Sequence, residues 1–264
     1  MSTSLQGIGV VVTRPRHQAE PLVQALSQAG AEVLRFPALE IVPEPDDTPR
    51  QAVAARAATA DWLVFVSSNA VEHGLPRIRA HGGPADGTRC ATVGAGSAET
   101  LRRAGIPEVA YPRHGATSED LLAETPLGRI TTGRVMIVRG VGGRPYLAEA
   151  LQERGAEVDF LEVYRRVRPE TDPGPILEAA AADRIQVAIA TSGEVLHNFL
   201  EMLGEAGRAW LACAALVVIG ERVGQLAQPH AGHVEVAATA SEEELTAATA
   251  RAAEAVAEIR SRRR

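Results

Sequence analysis

VFVSSNAV, residues 64–71, is a short apolar run that stops in small polar residues. AIATSGEV, residues 188–195, does the same. A continuous apolar run of this length fits a strand of a parallel sheet covered on both faces. Small polar residues directly after it fit the start of a helix. Finding the same strand-to-serine edge twice makes internal duplication the first question to put to the rest of the chain.

The duplication extends outward from that pair. VVVTRP, ending at Pro15, resembles MIVRG, ending at Gly140. LVQALSQAGAEVLRFPALEI resembles YLAEALQERGAEVDFLEVYR, with Glu32 and Glu157 aligned 125 residues apart. DWLVFVSSNAV pairs with IQVAIATSGEV, ATVGAGSAETLRRAG with LVVIGERVGQLAQPH, and YPRHGATSEDLL with VAATASEEEL. Strand patterns alternate with segments of helical spacing, such as Leu22, Ala25, Leu26 and Ala29 before Gly30. That alternation predicts right-handed crossovers and two α/β lobes, each with a doubly wound parallel sheet. RFPALEIVPEP and DFLEVYRRVRPE instead alternate apolar and polar residues and lead into proline-bearing loops, so they read as connectors paired in a two-stranded β ribbon. The expected first lobe is discontinuous, 1–36 with 167–264. The second is 42–161, and the connectors are 37–41 and 162–166.

Composition agrees. The chain has 264 residues, enough for two domains of roughly 130 each. Apolar residues make up 45% and aromatics 3%, so the cores are aliphatic. The net charge of -6 argues against a nucleic-acid-binding chain. The terminal RSRRR follows an Ala/Glu-rich helix pattern and reads as a solvated tail. No stretch approaches the roughly 18 apolar residues of a membrane span. MSTSLQGIGVVV lacks the charged and apolar regions of a secretory signal. Cys90 and Cys213 both adjoin strand patterns and read as small core residues, forming neither a zinc site nor a disulfide framework. The expectation is a cytoplasmic, reduced protein with no membrane or nucleic-acid partner.

Ligands of open α/β sheets bind outside the carboxyl ends of the strands. In the first lobe those positions hold Thr13 and Arg14, Thr191, Ser192 and Gly193, Gly220 to Arg222, and Thr239 to Ser241. In the second they hold Ser67, Ser68 and Asn69, Gly94 to Ser97, Ala116 to Ser118, and the Arg139–Gly140 end running on to Arg144. Any one Ser or Thr here could be a plain helix cap, worth about 1 kcal/mol. Together they form a polar edge in each lobe, rich in helix starts whose free N–H groups bind carboxylates or phosphates. Two such edges facing each other would grip a large, multiply anionic ligand.

Familiar catalytic sets are missing. There is no G-x-x-x-x-G-K loop and no G-x-S-x-G elbow. GAGSAE at Gly94 lacks the third glycine of a dinucleotide fingerprint. The histidines are scattered singly; His17 and His114 adjoin strand ends, with no second ligand at metal spacing.

VVVTRP, VFVSSNAV, TVGAGSAETLRRAG, TSEDLL, GRVMIVRG, LQERGAEVDFLEVYRR and AIATSGEV, in this order and spacing from about Gly7 to Leu245, resemble the uroporphyrinogen-III synthase family. The resemblance implies two flavodoxin-like lobes joined by a β ribbon, in a monomeric lyase that needs neither cofactor nor metal. It implies a linear tetrapyrrole substrate, hydroxymethylbilane, closed with inversion of its last ring, and transient contact with the upstream bilane-forming enzyme. It places a tyrosine at the second connector, Tyr164, as the catalytic acid, with alternation setting Glu162 and Tyr164 opposite Leu161 and Val163. Ser97 matches a family hydroxyl, whereas the first-lobe counterpart is Val223, a departure. Gly94, Ser118, Arg139, Gly140, Gly220 and Arg222 complete the substrate-binding set that the two edges imply. Two other readings compete. One is a non-catalytic two-lobed cytosolic sensor of tetrapyrroles or other anionic ligands. The other is a nucleotide-sugar transferase, which wants an acidic ribose-binding residue that the sequence does not place.

Overall fold

The computed structural model describes residues 4–263. Residues 1–3 and 264, with the side chains of Arg260, Arg262 and Arg263, lie outside the described residues, and the reading of RSRRR as a tail lies there too. In chain order the first elements are β1 (Gly9–Val12), α1 (Arg16–Gln28), β2 (Glu32–Arg35), β3 (Glu40–Pro43), α2 (Thr48–Ala55), β4 (Trp62–Phe65), α3 (Ser68–Ala80), β5 (Arg89–Thr92), α4 (Ala95–Arg103) and β6 (Val109–Ala110). Then come α5 (Ser118–Glu124), β7 (Arg134–Gly140), α6 (Tyr146–Gln152), β8 (Glu157–Val167), α7 (Gly174–Ala181) and β9 (Val187–Ala190). The chain closes with α8 (Gly193–Leu211), β10 (Ala215–Ile219), α9 (Glu221–Ala227), β11 (His233–Ala237) and α10 (Glu242–Arg263).

These elements form two compact units, Met1–Glu40 with Val167–Arg264, and Ile41–Arg166. The first unit holds a parallel sheet in the order β11-β10-β9-β1-β2. Numbered within the unit, that is the flavodoxin-like 2-1-3-4-5 order. All four residues of β1 and of β9 are buried, as continuous apolar strands covered on both faces should be. One face packs Val10, Val12, Val187, Ile189 and Val217 against Leu22 and Leu26 of α1 and Leu245, Ala248 and Ala252 of α10. On the other, Phe36 and Phe199 meet edge to face with centroids 5.8 Å apart. Helix α8 is broken at Gly204, where φ is +63°.

The second unit holds the order β3-β8-β7-β4-β5-β6. Its strands β4 to β8 are parallel. Counted from β7, the five run 2-1-3-4-5 again, so the second lobe is the same fold entered at its third strand. Leu63, Phe65, Met136, Val138 and Leu161 pack toward α3, while Trp62, Val64, Val135 and Ile137 pack toward α5 and α6.

The two connector segments pair with each other, as expected, and the pair is continuous with the second sheet. Strand β8 continues without a break from Glu157 to Val167, and β3 joins it as the edge of the six-stranded sheet. The Glu44 N–H donates to Val163 O at 3.0 Å, and the buried Glu44 carboxylate takes Arg165 at 3.0 Å and Arg50 at 2.5 Å. These bonds satisfy polar groups that a detached ribbon would leave to water, so residues 162–166 belong to the second sheet.

Candidate active site

The strand order reverses between β1 and β9 in the first lobe and between β7 and β4 in the second, and ligands of such sheets bind at the carboxyl ends beside this switch. In the second lobe the switch carries Ser67, Ser68, Asn69, Arg139 and Gly140. Ser67 caps α3, its Oγ accepting the Ala70 N–H at 3.0 Å. The same Oγ lies 3.0 Å from the Tyr164 hydroxyl. Ser68 and Ser97 bring their Oγ atoms to 3.4 Å, although Ser97 itself is buried.

Tyr164 departs from the expected alternation. Arg139 pairs with Glu162 but Gly140 pairs with Tyr164, so Val163 is the extra residue of a β-bulge. The bulge turns the Tyr164 ring onto the α3 face with Leu161 and Val163, leaving the residue 5% exposed. It is a core residue that keeps its hydroxyl at the sheet end. Gly140 makes room for it: a Cβ there would lie 2.6 Å from Tyr164 Cε2.

Arg139 is half-buried and held from three sides. It pairs with Glu162 at 2.9 Å, donates to Gly143 O at 3.2 Å and lies 3.8 Å from the Phe160 ring centroid. Its Nε is buried with no partner among the described residues. Gly94 has extended backbone, so its small size answers to Ala116, whose Cβ would sit 3.3 Å from a Cβ at position 94. Ser118 is the first residue of α5 and half-buried.

In the first lobe Ser192 caps α8 as Ser67 caps α3, accepting the Val195 N–H at 3.2 Å. By strand register the two caps are equivalent, one residue off the pairing that the sequence suggests, which sets Ser67 against Thr191. Thr191 and Gly193 flank Ser192 half-buried. Gly220 has φ +77° before α9, a left-handed backbone that explains the glycine. Arg222 is exposed in the first turn of α9. Arg14 donates to Ala240 O at 2.8 Å and pairs with Glu242 at 3.3 Å. Thr13 requires a correction: it is fully buried, and its Oγ1 donates to Ile189 O at 2.6 Å, tying β1 to β9. Thr92 does the same for β5 and β4, donating to Phe65 O at 2.6 Å. Fully buried and with its one proton committed to Ile189 O, the Thr13 hydroxyl has no donor left for an anionic ligand.

The other candidate chemistry stays outside these edges. His114 is exposed, 3.5 Å from Glu124, and His17 lies 3.0 Å from the Gln18 side chain. Cys90 is buried, and burial pushes its thiol up to about 11. Cys213 is exposed, against the expectation of a core position, because it falls in the turn between α8 and β10. No cluster of metal-ligating side chains occurs among the described residues, and no helix among them is long and apolar enough to cross a membrane.

Sequence reasoning placed Arg14, Arg139 and Arg144 at the strand ends but missed Arg16, Arg35 and Arg166, which gather beside them. Arg14, Arg16 and Arg35 line one small cavity in the first lobe; Arg139, Arg144 and Arg166 line one in the second. The available signal was the repeat, which superposes Arg14 on Arg139. Exposed apolar groups accompany the edges: Val141 beyond β7, and Leu226 against Gly193.

Fold and edges define a class: a two-lobed α/β protein whose sheets carry helix starts, hydroxyls and arginines at their carboxyl ends. The family model described as uroporphyrinogen-III synthase HemD matches residues 20–247. The chain belongs to that family. Proteins named uroporphyrinogen-III synthase are similar to it: that of Salmonella typhimurium (31% identity over 84% of this chain and 91% of the relative) and that of Synechococcus elongatus (30%, 89% and 90%). The fold is shared with a crystal structure of a mutant uroporphyrinogen III synthase from Thermus thermophilus, at TM-score 0.64 and 21% identity over 94% of this chain and 99% of that one. The Helicobacter pylori uroporphyrinogen-III synthetase gives a TM-score of 0.57 at 16% identity, covering 92% and 98%.

Proposed function

We propose that this protein is a cyclising lyase that closes hydroxymethylbilane, inverting its last ring, to give uroporphyrinogen III for tetrapyrrole synthesis. The observation that carries the reading is the match to the family over residues 20–247, which includes most of both polar edges.

The chemistry asks little of titratable groups. Loss of hydroxide leaves an azafulvene cation, the substituted carbon of the last pyrrole attacks it, and the resulting spiro intermediate fragments and recloses. The bilane closes by itself to the symmetric isomer, so the catalyst must make the substituted carbon the nearer nucleophile. That is catalysis by orientation. Free N–H groups at the starts of α3 and α8 suit the substrate's eight carboxylates. Val141 and Leu226 offer apolar surface to pyrrole rings.

Tyr164 supplies the proton for the leaving hydroxyl. Ser67 Oγ accepts the Ala70 N–H, so its own O–H is free to point at the phenol oxygen 3.0 Å away. That bond stabilises the phenolate formed on proton loss and leaves the phenol O–H for the substrate. Ser67 is thus a positioning residue for Tyr164. The enzyme works as a monomer and without a cofactor.

The test is product identity. Purified protein given hydroxymethylbilane should yield chiefly the asymmetric macrocycle, read by chromatography of the oxidised porphyrins. If only the symmetric isomer forms, the reading is wrong and a non-catalytic tetrapyrrole sensor takes its place.

A further inference from the structure

We infer that each lobe carries one of a pair of repeat-related arginine pockets, and that each takes one carboxylate-bearing arm of the ligand. The inference rests on the reading above and adds the recognition device to it.

The first pocket, about 230 Å³, is lined by Arg14, Arg16 and Arg35 at the ends of β1 and β2. The second, about 270 Å³, is lined by Arg139, Arg144 and Arg166 at the ends of β7 and β8. Strands β1 and β7 are equivalent in the two strand orders, as are β2 and β8. Both pockets open on the same side of their sheets. Ala19 of α1 lines one and Leu147 of α6 the other, and α1 and α6 are the helices that follow the equivalent strands. In each lobe an arginine at this strand end also reaches the start of the helix that follows the far edge strand. Arg14 pairs with Glu242 of α10 at 3.3 Å, and Arg144 pairs with Glu119 of α5 at 3.0 Å.

Chance placement is a poor account of this. The chain is acidic, with net charge -6, yet each pocket is lined by three arginines and by no aspartate or glutamate among the described residues. Acids outside the linings pair with four of these arginines and hold them in place: Glu242 with Arg14 at 3.3 Å, Glu20 with Arg35 at 2.7 Å, Glu162 with Arg139 at 2.9 Å and Glu119 with Arg144 at 3.0 Å. Arg16, exposed, has no ion-pair partner among the described residues. Arginine presents a planar fork that matches a carboxylate. At roughly 30 Å³ per water-sized group, either pocket accepts an acetate or propionate arm but not a macrocycle.

The test uses Arg16→Gln and Arg144→Gln in the full chain, singly and together. Both side chains are exposed, so urea midpoints should match wild type. Each single variant should raise KM for hydroxymethylbilane about tenfold, as loss of one charge-assisted contact does, with kcat held within about threefold. The double variant should lose about a hundredfold, because independent contacts multiply. The inhibition constant of uroporphyrinogen III should move by the same factors, and the lysine variants, which keep the charge but not the planar fork, should recover only part of the loss. Unchanged KM and inhibition constant in either single variant would overturn the proposal, and so would a double variant no weaker than the worse single one. If wild type makes no asymmetric product, the catalytic reading falls separately. Equilibrium binding of uroporphyrinogen III to the same four proteins then decides the pockets alone, with the same fold-losses expected and equal affinities overturning them.

Discussion

Tyr164 shows how one residue serves two demands. Its ring fills the core beside Leu161 and Val163 while its hydroxyl meets Ser67 at the sheet end. Tyr164→Phe keeps the ring and its packing and removes one hydroxyl. Stability should fall by no more than about 1 kcal/mol. Asymmetric closure should slow at least tenfold, the lower range for loss of a general acid, and the spontaneous symmetric isomer should rise in proportion. Single-turnover assays with isomer separation measure both, and near-full activity would assign the proton to water or another group. The sequence reading proposed Tyr164 for the site and did not foresee that it is a core residue. Strict alternation sends it away from Val163, and nothing local in LEVYRR marks the bulge. Thr13 fails for a similar reason: a threonine at a strand end reads alike whether it faces a ligand or the neighbouring carbonyl.

At the scale of elements, α3 is set down on β7 through a glycine. A Cβ on Gly74 would overlap Val138 Cγ1. Two effects oppose each other in Gly74→Ala. Helix propensity favours alanine by about 1 kcal/mol, whereas forcing a methyl into a packed core costs about 1–3 kcal/mol. The neighbour here sits on a buried strand with little freedom to give, so a net loss is expected in urea melts. The double variant Gly74→Ala/Val138→Ala should be less destabilised than the sum of the singles. A neutral or stabilising Gly74→Ala would mean that the helix shifts freely. Periodicity could not have found this contact: SNAVEHGLPRIRA reads as an amphipathic helix interrupted by weak formers, and the reason for the glycine lies on another strand. The strands that carry the edges were legible because each is short, wholly apolar and closed by small polar residues. The connectors were legible as a pair, but half-exposed alternation does not say that the pair continues the second sheet.

Across the whole molecule, the repeat was the most legible feature, because it survives as order and spacing even where residues have diverged. What it did not reveal is that the second copy is permuted, beginning at its third strand. Each unit nevertheless has its own buried core, and the second is contiguous, Ile41–Arg166. A fragment of residues 41–166 should therefore fold alone, with a single cooperative transition in urea and an α/β circular dichroism spectrum. It should form no asymmetric macrocycle, since half of the ligand groups are missing. A gradual, non-cooperative melt would show that the lobe depends on the rest of the chain.

The discontinuity of the first lobe sets a timetable for synthesis. Strand β1 pairs with β2 and with β9, and Val10 must wait for Val187. At about 5–20 residues per second, that delay is on the order of ten seconds on the ribosome. During it the whole second lobe emerges as one piece and can fold, while Gly9–Val12 stays without its central neighbour. The usual N-terminal-first order is inverted: the domain begun first is finished last. Its apolar opening strand is the segment of the nascent chain most in need of shelter.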